Sequence, residues 1–161
     1  MAEKNKKTIT NVMRLLDKAG IAYDTKEYEY DESDLSGVHA AKVLGLDPDM
    51  VFKTLVLQGD KTGYFVCIIP VACEVDLKKA ASVTGNKKCD LIHLKELLPL
   101  TGYIRGGCSP VGMKKQLPEY IDETALLVER ISVSAGQRGV QVILSPEDLL
   151  SYTGAVVADL I

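Results

Sequence analysis

Histidine is scarce in this chain: His39 and His93 are the only two in 161 residues, far apart and in no recognisable motif. No G-x-S-x-G elbow and no H-E-x-x-H pattern accompanies them, which argues against a Ser-His-Asp hydrolase and a helix-borne zinc hydrolase. The four cysteines, Cys67, Cys73, Cys89 and Cys108, form no C-x-x-C pair and have no zinc-site spacing. A chain of this length needs no disulfide staple, so free thiols and no metal are expected. Walker and dinucleotide glycine patterns are missing as well, so no cofactor is expected. No apolar run approaches the roughly 20 residues that span a bilayer, and the opening "MAEKNKKTIT" lacks the apolar stretch of a signal peptide. A cytoplasmic protein without a membrane partner follows as the expectation. Charge is not one-sided either: 19 basic residues against 22 acidic ones give a net charge of −3. That balance does not suit a general DNA binder, so any nucleic-acid contact has to be local. Basic clusters at Lys78/Lys79, Lys87/Lys88, Lys114/Lys115 and Arg138 are available for it, although such pairs are ordinarily solvated surface.

What the chain does contain is an ordinary globular composition, 47% hydrophobic and 25% charged. A domain of this size buries roughly 70% of the surface its unfolded chain exposes, so a single domain over residues 1–161 can hold a proper core. Ile9, Val12, Met13, Leu16 and Ala19 recur at helical spacing and Gly20 stops the run. "IAYDTKEYEYD" alternates as a half-exposed strand, and "GVHAAKVLG" suits a short helix. "MVFKTLVL" and "YFVCIIPV" read as a hairpin of central strands. "DLKKAASVTG" and "HLKELLP" read as helices, and "TGYIRGG" as a strand. "LLVERISVS" and "VQVIL" read as strands joined by "AGQRG". "SPEDLLSYTG" is a helix capped by Ser145 with Pro146 at its first position. The mixed order predicts an α+β fold with a central mixed, partly barrel-like sheet flanked by helices.

Lys53 is the most informative residue. In an extended strand it shares a face with Val51, Leu55 and Leu57, so one ammonium stands among apolar neighbours. Either its stem lies along that surface while the head reaches water, or a partly desolvated cation acts on an anion or a developing oxyanion. Two glycine loops invite a similar choice. In "GGCSPVG", Gly106 and Gly107 remove β-carbons where backbone could approach a ligand, and N–H groups in such loops can form an anion-binding concavity. "SAGQRG", residues 134–139, adds a hydroxyl and Arg138. Read singly, each loop is explained by a turn. Cys67 falls on a strand face with Phe65 and Ile69, as a small core residue would.

Taken in order, "VFKTLV", "GGCSPVGMKK" and "SAGQRG", with the N-terminal "VMRLLDKAGIAYDTKEYEYD", resemble the YbaK/EbsC family of aminoacyl-tRNA deacylases, related to the editing domains of prolyl-tRNA synthetase. The G-G-x-S-P-x-G form is similar to the branch that clears cysteine from tRNA(Pro). The resemblance implies Lys53 as the central lysine and Thr54 beside it. It implies Tyr28 near the substrate, first-loop contacts at Gly106, Gly107 and Ser109, and second-loop contacts at Ser134, Gly136 and Arg138. It further implies an aminoacyl-tRNA acceptor end as the partner, allows for prolyl-tRNA synthetase as another, and requires no cofactor. The implied chemistry is attack of the substrate's own thiol on its ester, releasing tRNA and a cyclic thiolactone, with the protein supplying placement. Two departures stand out: Gln141 replaces an aspartate that relatives carry after R-G, and Cys108 takes a place often held by an aliphatic residue. Two other readings compete, a non-catalytic tRNA- or synthetase-binding module of the same fold and a thiol-dependent redox or metal protein.

Overall fold

The computed structural model describes residues 8–161, so the reading of the first seven residues as lacking a leader lies outside the described residues. Helix α1 (Asn11–Lys18) starts where the Thr10 hydroxyl accepts the Met13 N–H, and it buries Val12, Met13 and Leu16. Strand β1 (Asp24–Glu27), α2 (Gly37–Leu44), the β2/β3 hairpin (Phe52–Gly59 and Gly63–Pro70) and α3 (Leu77–Thr84) come next. Then come β4 (Cys89–Leu91), α4 (Leu94–Thr101), β5 (Glu119–Asp122), β6 (Ile131–Ser134), β7 (Val140–Leu144), α5 (Pro146–Thr153) and β8 (Val156–Ala158). The fold is α+β in one domain, as the element order predicts. Among the described residues no helix is long and apolar enough to cross a membrane.

The strands form a three-stranded sheet, β1-β7-β6, and a mixed five-stranded sheet, β4-β2-β3-β5-β8. The β3–β5 and β5–β8 pairs are parallel and the others antiparallel. The sheets meet at a parallel bridge between Val51 and Ser132 without closing into a barrel. Alternation along the hairpin divides the core as a period of two requires. Phe52, Val56, Val66 and Ile68 enter the main cluster with α1 and the small sheet, while Leu57, Phe65, Cys67 and Ile69 pack on α3.

Three readings from sequence are corrected. "TGYIRGG" is not a strand: Gly102 ends α4 in the left-handed conformation, and the residues after it satisfy their polar groups locally. The Tyr103 N–H donates to the Thr101 hydroxyl at 3.0 Å, the Gly107 N–H donates to the Ile104 carbonyl at 2.9 Å, and the Tyr103 hydroxyl donates to the Val111 carbonyl at 2.6 Å. "LLVERISVS" yields only β6, because Glu123–Leu127 turns as a 3-10 helix that leaves Leu127 exposed. The "IAYDTKEYEYD" strand contracts to β1.

One property of β2 creates the site. Its far end pairs with β4 from Leu57 to Gly59, whereas its near end meets β6 through Val51. Among the described residues no strand is registered on that edge between them, at Lys53 to Leu55. The edge therefore opens onto a gap instead of a neighbour.

Candidate functional site

That gap is a cavity of about 470 Å³. Lys53 and Thr54 leave β2 on opposite faces, opposite Ile69 and Ile68 of the two core clusters, yet both line it, because the cavity lies along the strand's edge. Ser134 and Gln141, paired across β6 and β7, form a second wall. Gly106 and Cys108 of the first glycine loop form a third, and Tyr28, just past β1, closes the side where α2 begins. Leu91, Leu94 and Leu97 supply an apolar rim.

The Lys53 ammonium makes no hydrogen bond and no ion pair with any described residue. Beside it the Thr54 hydroxyl is buried without a hydrogen-bond partner. Buried polar atoms are nearly always paired, so a hydroxyl left unsatisfied on a cavity wall calls for an explanation, such as a group brought by a ligand. Ser134 is already engaged, its hydroxyl accepting the Gly136 N–H at 3.1 Å. The Ser132 hydroxyl donates to Gln141 Oε1 at 2.9 Å. Gln141 thus holds a defined orientation in a place where the family resemblance leads one to expect a carboxylate.

Four residues singled out from sequence stand outside the lining. Ser109 is fully buried and its hydroxyl accepts the Val111 N–H at 3.2 Å, shaping its own turn. Gly107 packs on the second loop: a β-carbon there would lie 3.1 Å from the backbone of Gln137 and Arg138. Its N–H is spent on Ile104, whereas the neighbouring Gly106 N–H has no acceptor among the described residues. Gly136 abuts Tyr103 and Val12. Arg138 reaches across, its Nε–H donating to the Arg105 carbonyl at 2.8 Å, and so ties the two loops together. Arg105 itself, overlooked in the sequence because a single arginine in a glycine turn looks like solvated surface, is exposed and lines the cavity.

The second loop is anchored on Tyr28, the residue that follows β1. The Tyr28 N–H donates to the Gly139 carbonyl at 2.9 Å, and Gly139 has φ +83°. A β-carbon at Gly139 would sit 2.7 Å from the Tyr28 carbonyl oxygen. Gly139→Ala is therefore expected to cost about 2 kcal/mol or more, through left-handed strain plus the clash. It should also displace Tyr28 from the wall. Thermal unfolding checks the first effect, and a raised KM in a deacylation assay checks the second.

Titration sets the chemistry. Burial pushes the Cys108 thiol up to about 12, with a Thr101 hydrogen bond opposing and Glu119 adding to the rise. Cys108 is therefore a neutral thiol at physiological pH, unfit as a nucleophile. Behind it, burial raises Glu119 from 4.5 to about 8, and its Oε1 has no partner. Burial is also the first cause lifting the Tyr28 phenol, opposed by the Gly139 backbone. Cys67 is a core residue on the strand face it shares with Phe65 and Ile69, and its thiol is pushed to about 12 by burial. Among the described residues no group of three histidine, cysteine or carboxylate side chains could hold a metal.

The cavity lining contains Lys53 and Arg105 but neither a histidine nor a carboxylate. It therefore lacks the base that would activate a serine, threonine or water. What it offers is cations, backbone donors and a shaped space. Comparison with known proteins gives this arrangement a family. Residues 35–152 match the aminoacyl-tRNA editing domain. The chain is 47% identical over 160 residues to EbsC of Enterococcus faecalis, a protein named for Cys-tRNA(Pro)/Cys-tRNA(Cys) deacylation, covering 99% of this chain and 98% of that one. It is 32% identical over 100 residues to the proline--tRNA ligase of Shouchella clausii, covering 62% of this chain and 17% of the ligase. A solved structure described as a trans-editing enzyme for prolyl-tRNA synthetase superposes with a TM-score of 0.79 at 28% identity, covering 95% of this chain and 98% of that one. The chain belongs to the aminoacyl-tRNA editing domain family.

Proposed function

We propose that this protein is a trans-editing deacylase that clears cysteine from Cys-tRNA(Pro) in the cytoplasm, acting on the aminoacylated acceptor end without a cofactor. The observation that carries the reading is the cavity's pairing of two cations with the lack of any imidazole or carboxylate to serve as a base. An aminoacyl ester is already activated, so a site can accelerate its cleavage by holding it in a reactive geometry and stabilising the developing oxyanion.

In this reading the substrate's own thiol supplies the nucleophile. Its sulfur attacks the ester carbonyl, the carbon–oxygen bond to the terminal ribose breaks, and the proton from the thiol passes to the departing ribose oxygen. The products are tRNA and a cyclic cysteine thiolactone, which water opens to cysteine. Lys53 orients the ester and offsets charge on its carbonyl oxygen, with the free Gly106 N–H as a second donor. Thr54 completes its unsatisfied hydroxyl on the aminoacyl group. Tyr28, Ser134 and Gln141 set the width of the pocket. Gly107, Ser109, Gly136 and Arg138 hold the two loops in register. Cys108, kept neutral, neither competes with the substrate thiol nor traps the acyl group.

Prolyl-tRNA synthetase is the partner this reading favours, as the source of the mischarged tRNA. The test is to incubate the protein with a panel of mischarged tRNAs, with and without the synthetase. Cys-tRNA(Pro) is expected to lose its ester fastest. Tight tRNA binding with no turnover of any species would make the protein a binding module instead.

A further inference from the structure

We propose that Arg105 and Arg138 form a phosphate clamp at the mouth of the cavity, gripping the phosphodiester on the 5′ side of the aminoacylated terminal nucleotide. The clamp deepens the deacylase reading and rests on it for the identity of the RNA. The first observation is electrostatic. The chain carries 22 acidic residues against 19 basic ones, yet the cavity lining holds Lys53 and Arg105 and no carboxylate. Gln141 stands on the wall where an acidic side chain would have offset them. In a partly desolvated hollow, uncompensated cations select an anionic ligand far more strongly than they would on open surface.

The second observation is geometric. The Arg105 guanidinium has no carboxylate within 4.0 Å and no hydrogen-bond acceptor among the described residues, in contrast to Arg130, which pairs with Asp24. Arg138 is pinned beside it. Its Nε–H is fixed on the Arg105 carbonyl at 2.8 Å, and a β-carbon at Gly106 would lie 3.5 Å from its Cγ and Nε. The Arg138 stem thus lies at van der Waals distance over the first loop at Gly106, where a φ of +86° is what calls for glycine, while both terminal amino groups of its guanidinium keep their donors. Two guanidinium forks on two loops tied together by the Arg138–Arg105 hydrogen bond suit the bidentate recognition of a phosphate better than an ammonium does.

The third observation divides the labour. Lys53 is rooted in β2 inside the cavity, whereas Arg105 is exposed on the loop at its edge. An aminoacylated terminal nucleotide has a matching polarity. Its ester is uncharged and must enter, and its nearest permanent negative charge, the 5′ phosphodiester, stays outside with the rest of the strand. Lys53 meets the first and the arginines meet the second.

The experiment uses the full-length protein, its Arg105→Ala and Arg105→Lys variants, and two probes. One is an RNA minihelix ending in CCA, uncharged for binding by fluorescence anisotropy and cysteinylated for turnover. The other is cysteinyl-adenosine, which has the ester and ribose but no phosphate. For Arg105→Ala the expected result is a roughly tenfold or greater loss of minihelix binding, and a fall of about one in the slope of log affinity against log salt. The loss in kcat/KM on the cysteinylated minihelix should exceed that on cysteinyl-adenosine by at least tenfold, with partial rescue by Arg105→Lys. Equal losses on the two substrates, or unchanged minihelix binding and salt slope, would overturn the clamp. If the wild type binds the minihelix through Arg105 but cleaves neither ester, the clamp stands and the deacylase reading falls.

Discussion

Lys53→Ala is expected to lower kcat/KM for Cys-tRNA(Pro) deacylation by about 100-fold or more while leaving the fold intact. Loss of one preorganised donor to a developing oxyanion typically costs roughly 10²–10³ in rate. Lys53 is placed for such a role, because it is free of any ion pair among the described residues and lines a cavity whose other cation lies at the mouth. Its removal breaks no described hydrogen bond, so the variant should unfold within a few degrees of the wild type. The conservative Lys53→Arg change keeps the charge but alters its shape, and is expected to restore part of the rate. A Lys53→Ala variant as fast as the wild type would mean that the ammonium only lays its stem along the strand.

Glu119→Gln is expected to stabilise the protein at alkaline pH, an unusual direction for a buried substitution. Burial raises the Glu119 carboxyl from 4.5 to about 8, with no partner for Oε1. The native state therefore holds a proton that the unfolded chain has already released at neutral pH. A carboxyl raised in this way contributes its stability fully below about 4.5 and loses it as pH climbs to about 8. Above that, the wild type carries a buried carboxylate at a penalty of about 3–5 kcal/mol, at roughly 1.4 kcal/mol for each pH unit separating the folded and unfolded values. Glutamine keeps the shape and stays neutral. Thermal unfolding between pH 5 and 9 should show the wild-type midpoint falling steadily while the variant's stays nearly flat, the two separating most at pH 9. Parallel curves would mean that the carboxyl is solvated or paired. The same titration bears on the site, since Glu119 lies close enough to Cys108 to raise its thiol further.

Local elements are legible in the sequence because their signals are local. The β2/β3 hairpin, the capped helix after Ser145 and the helix ending at Gly85 each arise from a short apolar pattern and a cap. Strands β4, β5 and β8 leave no comparable trace, being only three or four residues long. Their pairing is with distant strands, β5 joining β3 and β8 in parallel. The segment "TGYIRGG" shows the converse: its β-prone residues are overruled by a helix C-cap at Gly102 and by hydrogen bonds back to Thr101. In the site, Lys53 can be read directly, because a charge in an apolar strand is an anomaly in any fold. Gly107, Ser109, Gly136 and Arg138 stand out as members of special loops, but sequence does not tell a lining residue from one that braces the lining. That distinction depends on how the loops lean on each other, as the Arg138–Arg105 hydrogen bond shows. Arg105 and Glu119 escape notice for opposite reasons, one resembling ordinary surface and the other buried by distant parts of the chain that no short pattern reveals.

The central claim is that the site positions an ester and leaves the attack to the substrate's sulfur. The most direct measurement compares Cys-tRNA(Pro) with Ser-tRNA(Pro), which differ only in sulfur against oxygen, at equal concentrations and with spontaneous hydrolysis subtracted. A preference for cysteine of about 100-fold or more, with thiolactone trapped as the first product, is the expected result. Equal rates for the two substrates, with free amino acid as the first product, would contradict the account and require a nucleophile or an activated water from the protein.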